Sequence, residues 1–421
     1  MNPKVAIIGA GPAGMCAAAA AAQNGWTADL YDHNEKTGKK LFITGKGRCN
    51  LTNDRPIEDF FDQVVTNGKF LYSSLYTFTN DQLEDMIEAA GCRLKTERGG
   101  RVFPVSDKSS DILKAFNRLL VQNHVHVMLG THISALVLTD DHTRVCGIRL
   151  KNGEVRDYDA VILATGGVSY RSTGSDGSGF RIAEKAGHSV TELRPSLVGL
   201  DTREDWPGTL AGLTLKNVKL TLYRHQKGKK VRLYDELGEM LFTHTGISGP
   251  LVLSASARVK GNPSQYSVDI DLKPGLTDQK LDARILRDFE EGQNKNLDNV
   301  MAGLLPRRMI PVIIDQAGLI PDQKAGSVTR EQRHALVQTL KALPLRISGL
   351  GDINGAIITS GGIPVKEVDP GTMHSKLVQG LSFAGEMLDV DAVTGGYNIQ
   401  IACSTGWLAG SSLEIPEKQQ S

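Results

Sequence analysis

The sequence predicts an α/β fold. Both ends of the chain build one nucleotide-binding domain, and the middle supplies an antiparallel β domain and a helical subdomain. Three observations carry this. Residues 5–8, VAII, lead through Gly9-Ala10-Gly11-Pro12-Ala13-Gly14 into an alanine-rich segment. Near the other end, residues 381–384 stop at Gly385-Glu386, and Gly395-Gly396 then opens a helix-like run. Between them, apolar and polar residues alternate at strand spacing.

At the N-terminal end, G-x-G-x-x-G stands directly after a buried-type strand and before a helix running to Asn24, with Gly25 suited to its C-terminal cap. Gly9 permits the tight turn, Gly11 lets the backbone approach a pyrophosphate, and Gly14 lets the helix pack on the strand. Pro12 and Ala13 begin a helix whose free N–H groups face phosphate. A second strand, 27–31, ends at Asp32, which lies 18 residues after Gly14 and suits ribose hydroxyls; His33 follows it. This fingerprint alone serves NAD and FAD equally.

The other end separates them. Glu386, after Gly385, can accept a hydrogen bond from a ribityl hydroxyl. Backbone N–H groups after Gly395 and Gly396, in the turn carrying Tyr397, Asn398 and Ile399, can face a flavin carbonyl and use the helix dipole. A third apolar strand, 159–164, ends at Thr165-Gly166-Gly167 before the glycine-rich stretch 172–188. In residues 40–53, KLFITGKGRCNLTN, Gly45 and Gly47 alternate with Lys46 and Arg48 and are followed by Cys49, Asn50 and Asn53. Small residues beside cations suggest a loop closing on an anion.

Composition bounds the rest. The chain has 421 residues, which predicts two to three domains, and 40% hydrophobic residues, enough for a core. Lys plus Arg is 48 against 47 for Asp plus Glu, a net charge of +1. That balance argues against a nucleic-acid partner. The densest basic run, RHQKGKKVR at 224–232, sits between alternating segments and reads as a solvated hairpin tip. The five cysteines, Cys16, Cys49, Cys92, Cys146 and Cys403, form no C-x-x-C pair, which disfavours disulfides, a metal site and a redox dithiol. Glycines break the N-terminal apolar run, so it is not read as a signal peptide, and no run is long enough to span a bilayer. A cytoplasmic protein without a membrane partner is expected.

Val218, Leu220 and Leu222 alternate with polar residues, as do Tyr266, Val268 and Ile270 within 265–274. Leu281, Ile285 and Phe289 recur at helical spacing, and Thr329 with Gln332 makes a capping box. The expected domains are 1–190, 191–275 (β), 276–342 (helical) and 343–415, the first and last forming the nucleotide-binding domain.

The pieces GAGPAG, GKGRCNLTN, ATGG, THTGISGP, TSGGIP and FAGEMLDVDAVTGGYN occur in this order over nearly the whole chain. On them the chain resembles the BaiN / aminoacetone-oxidase-like FAD flavoproteins, within the two-dinucleotide-binding-domain flavoproteins of glutathione-reductase-like fold. The resemblance implies a Rossmann-like FAD-binding domain from both chain ends, with an inserted antiparallel β-barrel-like domain and a helical subdomain. It implies that 40–53 lines the FAD, with Lys40, Gly47, Arg48, Cys49 and Asn50 at the cofactor and Ile133 at its adenine end. Cys49 then packs against the flavin rather than acting as a nucleophile. No histidine-linked flavin motif is matched, so the FAD is expected to be non-covalent.

Flavin chemistry needs position, electrostatics and access from the protein. His244, in a glycine-rich turn, is either a proton relay or a structural histidine. Arg101 either orients a substrate or is structural. Tyr397 is either a proton donor or a packing residue. No metal site is expected. With one dinucleotide fingerprint, either a small-molecule substrate reduces the flavin directly or NAD(P)H binds transiently as reductant. The resemblance leaves two reactions open: amine oxidation with oxygen, and reduction of an activated double bond or keto group. A flavin-bearing RNA-modification or binding protein is the alternative.

Overall fold

The computed structural model describes residues 2–415. In chain order, its principal elements are β1 (Lys4–Ile8), α1 (Pro12–Gln23), β2 (Thr27–Tyr31), α2 (Lys39–Gly47), β3 (Thr52–Asn53), β4 (Arg101–Pro104), β5 (His126–Met128), β6 (Ala160–Leu163), α3 (Ser178–Lys185), β7 (Leu200–Thr202), β8 (Thr214–Gln226), β9 (Lys229–Phe242), β10 (Gly246–Ser248), β11 (Tyr266–Asp271), α4 (Asp278–Glu291), α5 (Arg330–Lys341), β12 (Leu343–Leu350), β13 (Leu381–Phe383) and α6 (Tyr397–Ser411). The chain divides into two compact units, one taking in the chain up to Ser196 and from Asp352 onward, the other Leu197–Gly351.

The first unit is built on a five-stranded sheet in the order β13-β6-β1-β2-β5. Every pairing is parallel, with Ile7 opposite both Ile162 and Leu30. Val5–Ile8 of β1 and all of β6 are buried, as strands covered on both faces require. Strand β2 lies on one side of β1 and β6 on the other. The order therefore reverses beside β1, and open α/β sheets place ligands outside the carboxyl ends of their strands at such a point.

Helix α1 is buried along Ala13–Ala21, which its run of alanines permits. Helix α6 packs against it at close range. A Cβ on Gly406 would stand 2.1 Å from the Ala13 carbonyl oxygen, and one on Gly410 would stand 2.2 Å from that of Ala17. The two glycines, four apart, share one helix face. They let the C-terminal helix sit against the N-terminal one, which is how the two ends of the chain become one unit.

The second unit is a closed six-stranded barrel in the order β7-β10-β9-β8-β11-β12, with β12 returning to β7. The alternating residues Val218, Leu220, Leu222, Val268 and Ile270 point into its core. Leu281 and Ile285 of α4, and Leu336, Val337 and Leu340 of α5, belong to the same core. The capping box at Thr329 and Gln332 starts α5 as the sequence predicts. Residues 276–342, expected as a separate subdomain, thus share one core with the barrel. The expected return at 343 comes instead after Gly351, because β12 closes the barrel.

An exposed helical Gly→Ala change gains about 1 kcal/mol of helix propensity. Gly406→Ala is expected to reverse that sign, because its Cβ meets a backbone carbonyl that no rotamer change can clear. A net loss of about 2 kcal/mol is expected in urea unfolding. An increase in stability would contradict the close contact.

Candidate functional site

The turn after β1 has the geometry its glycines suggest. Gly9 has φ +108° and donates its N–H to the Tyr31 carbonyl at 2.8 Å. A Cβ there would stand 2.4 Å from the Ala164 carbonyl oxygen, where the loop after β6 passes. A Cβ on Gly14 would stand 1.8 Å from the Gly9 carbonyl oxygen. Gly11 differs: it caps α1 with extended backbone (φ −80°, ψ −177°), and nothing lies within 4 Å of a Cβ built on it. No packing contact requires glycine there. An open face at the N-terminus of a twelve-residue helix fits a dinucleotide diphosphate. Pro12 occupies the first helical position, where its missing N–H costs nothing, and Ala13 is buried.

Asp32 braces this turn. One carboxylate oxygen accepts the Ala10 N–H at 2.8 Å; the other accepts the Asn34 backbone N–H at 2.8 Å and the Asn34 amide at 2.9 Å. His33 stacks on His132, with ring centres 5.2 Å apart. Ile133, half-buried, follows His132. The structure therefore gathers Asp32, His33 and the start of the 133–138 strand at one edge. Gly166 is left-handed, with φ +78°, and the Thr165 hydroxyl lies 2.9 Å from the Met387 sulfur.

A polar cluster lies beyond the ends of β6 and β13. Lys40 Nζ donates to Glu386 Oε2 at 2.8 Å and to Ser169 Oγ at 2.7 Å. Glu386 Oε1 accepts the Thr359 backbone N–H at 2.6 Å, and Thr359 Oγ1 accepts the Val168 N–H at 2.8 Å. Lys40 and Glu386 were expected at the site; Ser169 and Thr359 were not singled out. Thr359 stood within TSGGIP, but nothing in the chain's order showed that this segment meets β6. Gly385 has φ +66°, and a Cβ on it would stand 2.8 Å from that of Ala13, so the glycine brings the strand end against α1.

The stretch 40–53 folds back on itself. Gly45, Lys46, Gly47 and Cys49 all have positive φ. Nothing lies within 4 Å of a Cβ on Gly47, so a second open glycine faces free space. Lys46 is exposed. Arg48 is engaged within the protein: it pairs with Glu97, donates from Nε to Asp107 at 2.8 Å, and lies 4.1 Å over the Phe103 ring. Its charge is thus already matched by two carboxylates. Cys49 is fully buried, and burial pushes its thiol up to about 12. A thiol so disfavoured as thiolate is no nucleophile at neutral pH, which fits the packing reading.

The two asparagines fasten β3 to the start of α6. With its amide oriented to satisfy its neighbours, Asn50 donates to the Thr52 and Val102 carbonyls and accepts the Gly396 N–H at 3.1 Å. Asn53 donates to the carbonyls of Gly99 and Gly395, both at 3.0 Å. A Cβ on Gly396 would stand 2.3 Å from the Thr52 carbonyl oxygen. Gly396 caps α6 with φ +100°. Asn398 donates to the Ala392 carbonyl at 2.8 Å and accepts its N–H at 2.9 Å, holding the strand before the turn; Ile399 is half-buried.

The three expected catalytic residues fare differently. Tyr397 is buried at the head of α6 against Phe60, with ring centres 5.1 Å apart, and burial raises its hydroxyl pKa. Arg101 donates to the Arg98 carbonyl at 3.1 Å and lies 3.8 Å from Glu97, contacts that hold its own turn. His244 is exposed in the second unit, between β9 and β10.

Comparison with known proteins agrees with this geometry. The family model described as HI0933-like protein Rossmann domain matches residues 3–412. The chain is 30% identical over 415 residues to the 3-dehydro-bile acid delta(4,6)-reductase of Clostridium scindens, covering 97% of this chain and 98% of that protein. It is 30% identical over 411 residues to the ribosomal RNA dihydrouridine synthase of Escherichia coli, covering 97% of each. Among solved structures, the 3-ketosteroid delta1-dehydrogenase of Sterolibacterium denitrificans shares the fold, with TM-score 0.51 and 13% identity over 96% of this chain and 98% of that one. The chain is an FAD-dependent oxidoreductase by family. A relative with RNA in its name removes the exclusion of nucleic acid drawn from balanced charge. Among the described residues, no helix is long and apolar enough to cross a membrane.

Thiol labelling with a disulfide reagent at pH 8 is expected to modify half-buried Cys146 first and to leave Cys49 unmodified until the protein unfolds. Fast labelling of Cys49 in the native protein would contradict its assignment as a buried thiol.

Proposed function

The chain belongs to the HI0933-like protein Rossmann-domain family, and from that premise we propose that it reduces a carbon–carbon double bond conjugated to a carbonyl, with NAD(P)H as transient reductant. The observation that carries this reading is shared by the two relatives compared above: each is named for saturating a ring double bond, in a bile acid or in uridine of ribosomal RNA. Among the described residues there is one parallel sheet of Rossmann type, so a nicotinamide would bind without a domain of its own. A cytoplasmic setting suits such a reductant.

Bound FAD would pass hydride from the reductant to the substrate. The chain's own groups bind, orient and protonate. The Gly9–Gly14 turn and the N-terminus of α1 would take the diphosphate, with Gly11 giving the backbone its approach. Asp32 would accept ribose hydroxyls while holding the Ala10 N–H. Glu386, fixed by Lys40 and the Thr359 N–H, would accept a ribityl hydroxyl. The first N–H groups of α6 would face a flavin carbonyl and stabilise negative charge there. Tyr397, at the head of α6, would supply the proton that completes saturation. His244 is the competing donor.

The test is anaerobic mixing of the yellow protein with NADH and NADPH, followed near the flavin visible band, and then with a cyclic enone or uridine. Bleaching by a nicotinamide and return of colour with a saturated product are expected. Tyr397→Phe should slow the return of colour about a hundredfold with the flavin spectrum unchanged, whereas His244→Ala should not. Bleaching only by amines would contradict the proposal. The opposite ranking of the two variants would move the donor role to His244.

A further inference from the structure

The β8–β9 hairpin has the solvated tip its sequence predicts and takes no part in the proposed reduction. Its ladder with β11 ends at Arg224↔Tyr266, while pairing with β9 continues to Gln226↔Lys229. The ribbon therefore runs past the barrel wall. Its two-residue loop, Lys227 and Gly228, has φ +48° and +75°, a tight turn that holds the ribbon in register.

Residues 224–232 carry five cations, Arg224, Lys227, Lys229, Lys230 and Arg232, and no acid. The rest of the chain offsets this excess, since the whole carries only +1. Every residue from His225 to Arg232 is exposed. Lys230 is matched by Asp269 at 2.7 Å and Arg232 by Asp235 at 3.3 Å. Lys227 and Lys229 make no ion pair among the described residues, nor does half-buried Arg224 at the base of the ribbon, so the exposed unmatched charge lies at the tip. Tyr223 stands below it, its ring centre 3.9 Å from Lys230 Nζ.

We propose that this hairpin is an RNA-docking arm, gripping the sugar–phosphate backbone through Lys227 and Lys229. A narrow two-stranded ribbon ending in cations and Gln226 offers charge and hydrogen bonds to phosphate and sugar. It offers little to a lipid surface, because Val231 is its one large apolar residue exposed at the tip. Contact of this kind is independent of base sequence and strengthens by counterion release. It would make RNA the substrate class of the flavin site, a step that rests on the reductase reading above; the binding itself does not.

The experiment is a fluorescence anisotropy titration of the full-length, FAD-loaded protein with a labelled stem–loop RNA across a salt series. The variants are Lys227→Gln/Lys229→Gln and a control of equal charge change in the same unit, Lys280→Gln/Lys295→Gln. The wild type should bind with a steep negative slope of log K against log salt. The tip variant should weaken binding about tenfold at low salt and flatten the slope by about 1.5, from roughly 0.7 to 0.9 per phosphate contact. The control should leave the slope unchanged. Reduction of a small cyclic enone, measured in parallel, should be the same in all three proteins. Failure of enone reduction alone would strike the reductase reading and leave the arm standing. The arm is overturned if the wild type does not bind RNA, if the tip variant and the control behave alike, or if vesicles containing phosphatidylserine bind the tip more tightly than RNA.

Discussion

Helices α1 and α6 come from opposite ends of the chain and meet with glycines of one against backbone carbonyls of the other. That contact fixes where the N-terminus of α1, with its glycine-rich turn, stands relative to Gly385-Glu386 and the head of α6. A helix pair held by side chains would sit farther apart, since interaxial distance follows the residues at the contact. The alanines of α1 and the paired glycines of α6 are therefore a geometric requirement of the site as well as of the core.

Around this contact the glycines divide by what they serve. Gly9, Gly14, Gly385 and Gly396 each have a protein atom where a Cβ would go. They are glycine so that the chain can pass close to itself. Gly11 and Gly47 have nothing there. At Gly11 the backbone is extended and any residue could adopt it. A glycine with open space at the head of a helix leaves room for the backbone to be approached, and a diphosphate at the head of α1 would use that room. The polar groups are similarly divided. Arg48 is spent on Glu97 and Asp107, whereas Asp32 and Glu386 are held in place by backbone N–H groups, as acceptors waiting for hydroxyls would be.

Much of this was legible in the sequence. The turn after β1, the boundaries of β2, the end of β13 and the capping box of α5 are local features, set by residues within a few positions of one another. The barrel strands were legible because a half-buried strand alternates. What the sequence did not show was long-range. Nothing local says that residues 343–350 close a barrel instead of returning to the sheet. Nor does it say that Thr359 reaches Glu386, or that Asn53 ties Gly99 to Gly395. The pairing of Arg48 could not be read locally, because its carboxylate partners lie 49 and 59 positions away. The charge argument against nucleic acid carries no weight for a related reason: net charge sums over the chain, while a surface is local.

The most direct test of the account is FAD binding to Gly11→Val, measured by flavin fluorescence on titration of apoprotein. The account predicts that this variant still folds, losing no more than about 1 kcal/mol for the poorer helix cap, and loses FAD affinity about a hundredfold, roughly 2.7 kcal/mol. If Gly11→Val folds and holds FAD as tightly as the wild type, the dinucleotide is not cradled at the head of α1 and the central claim is wrong.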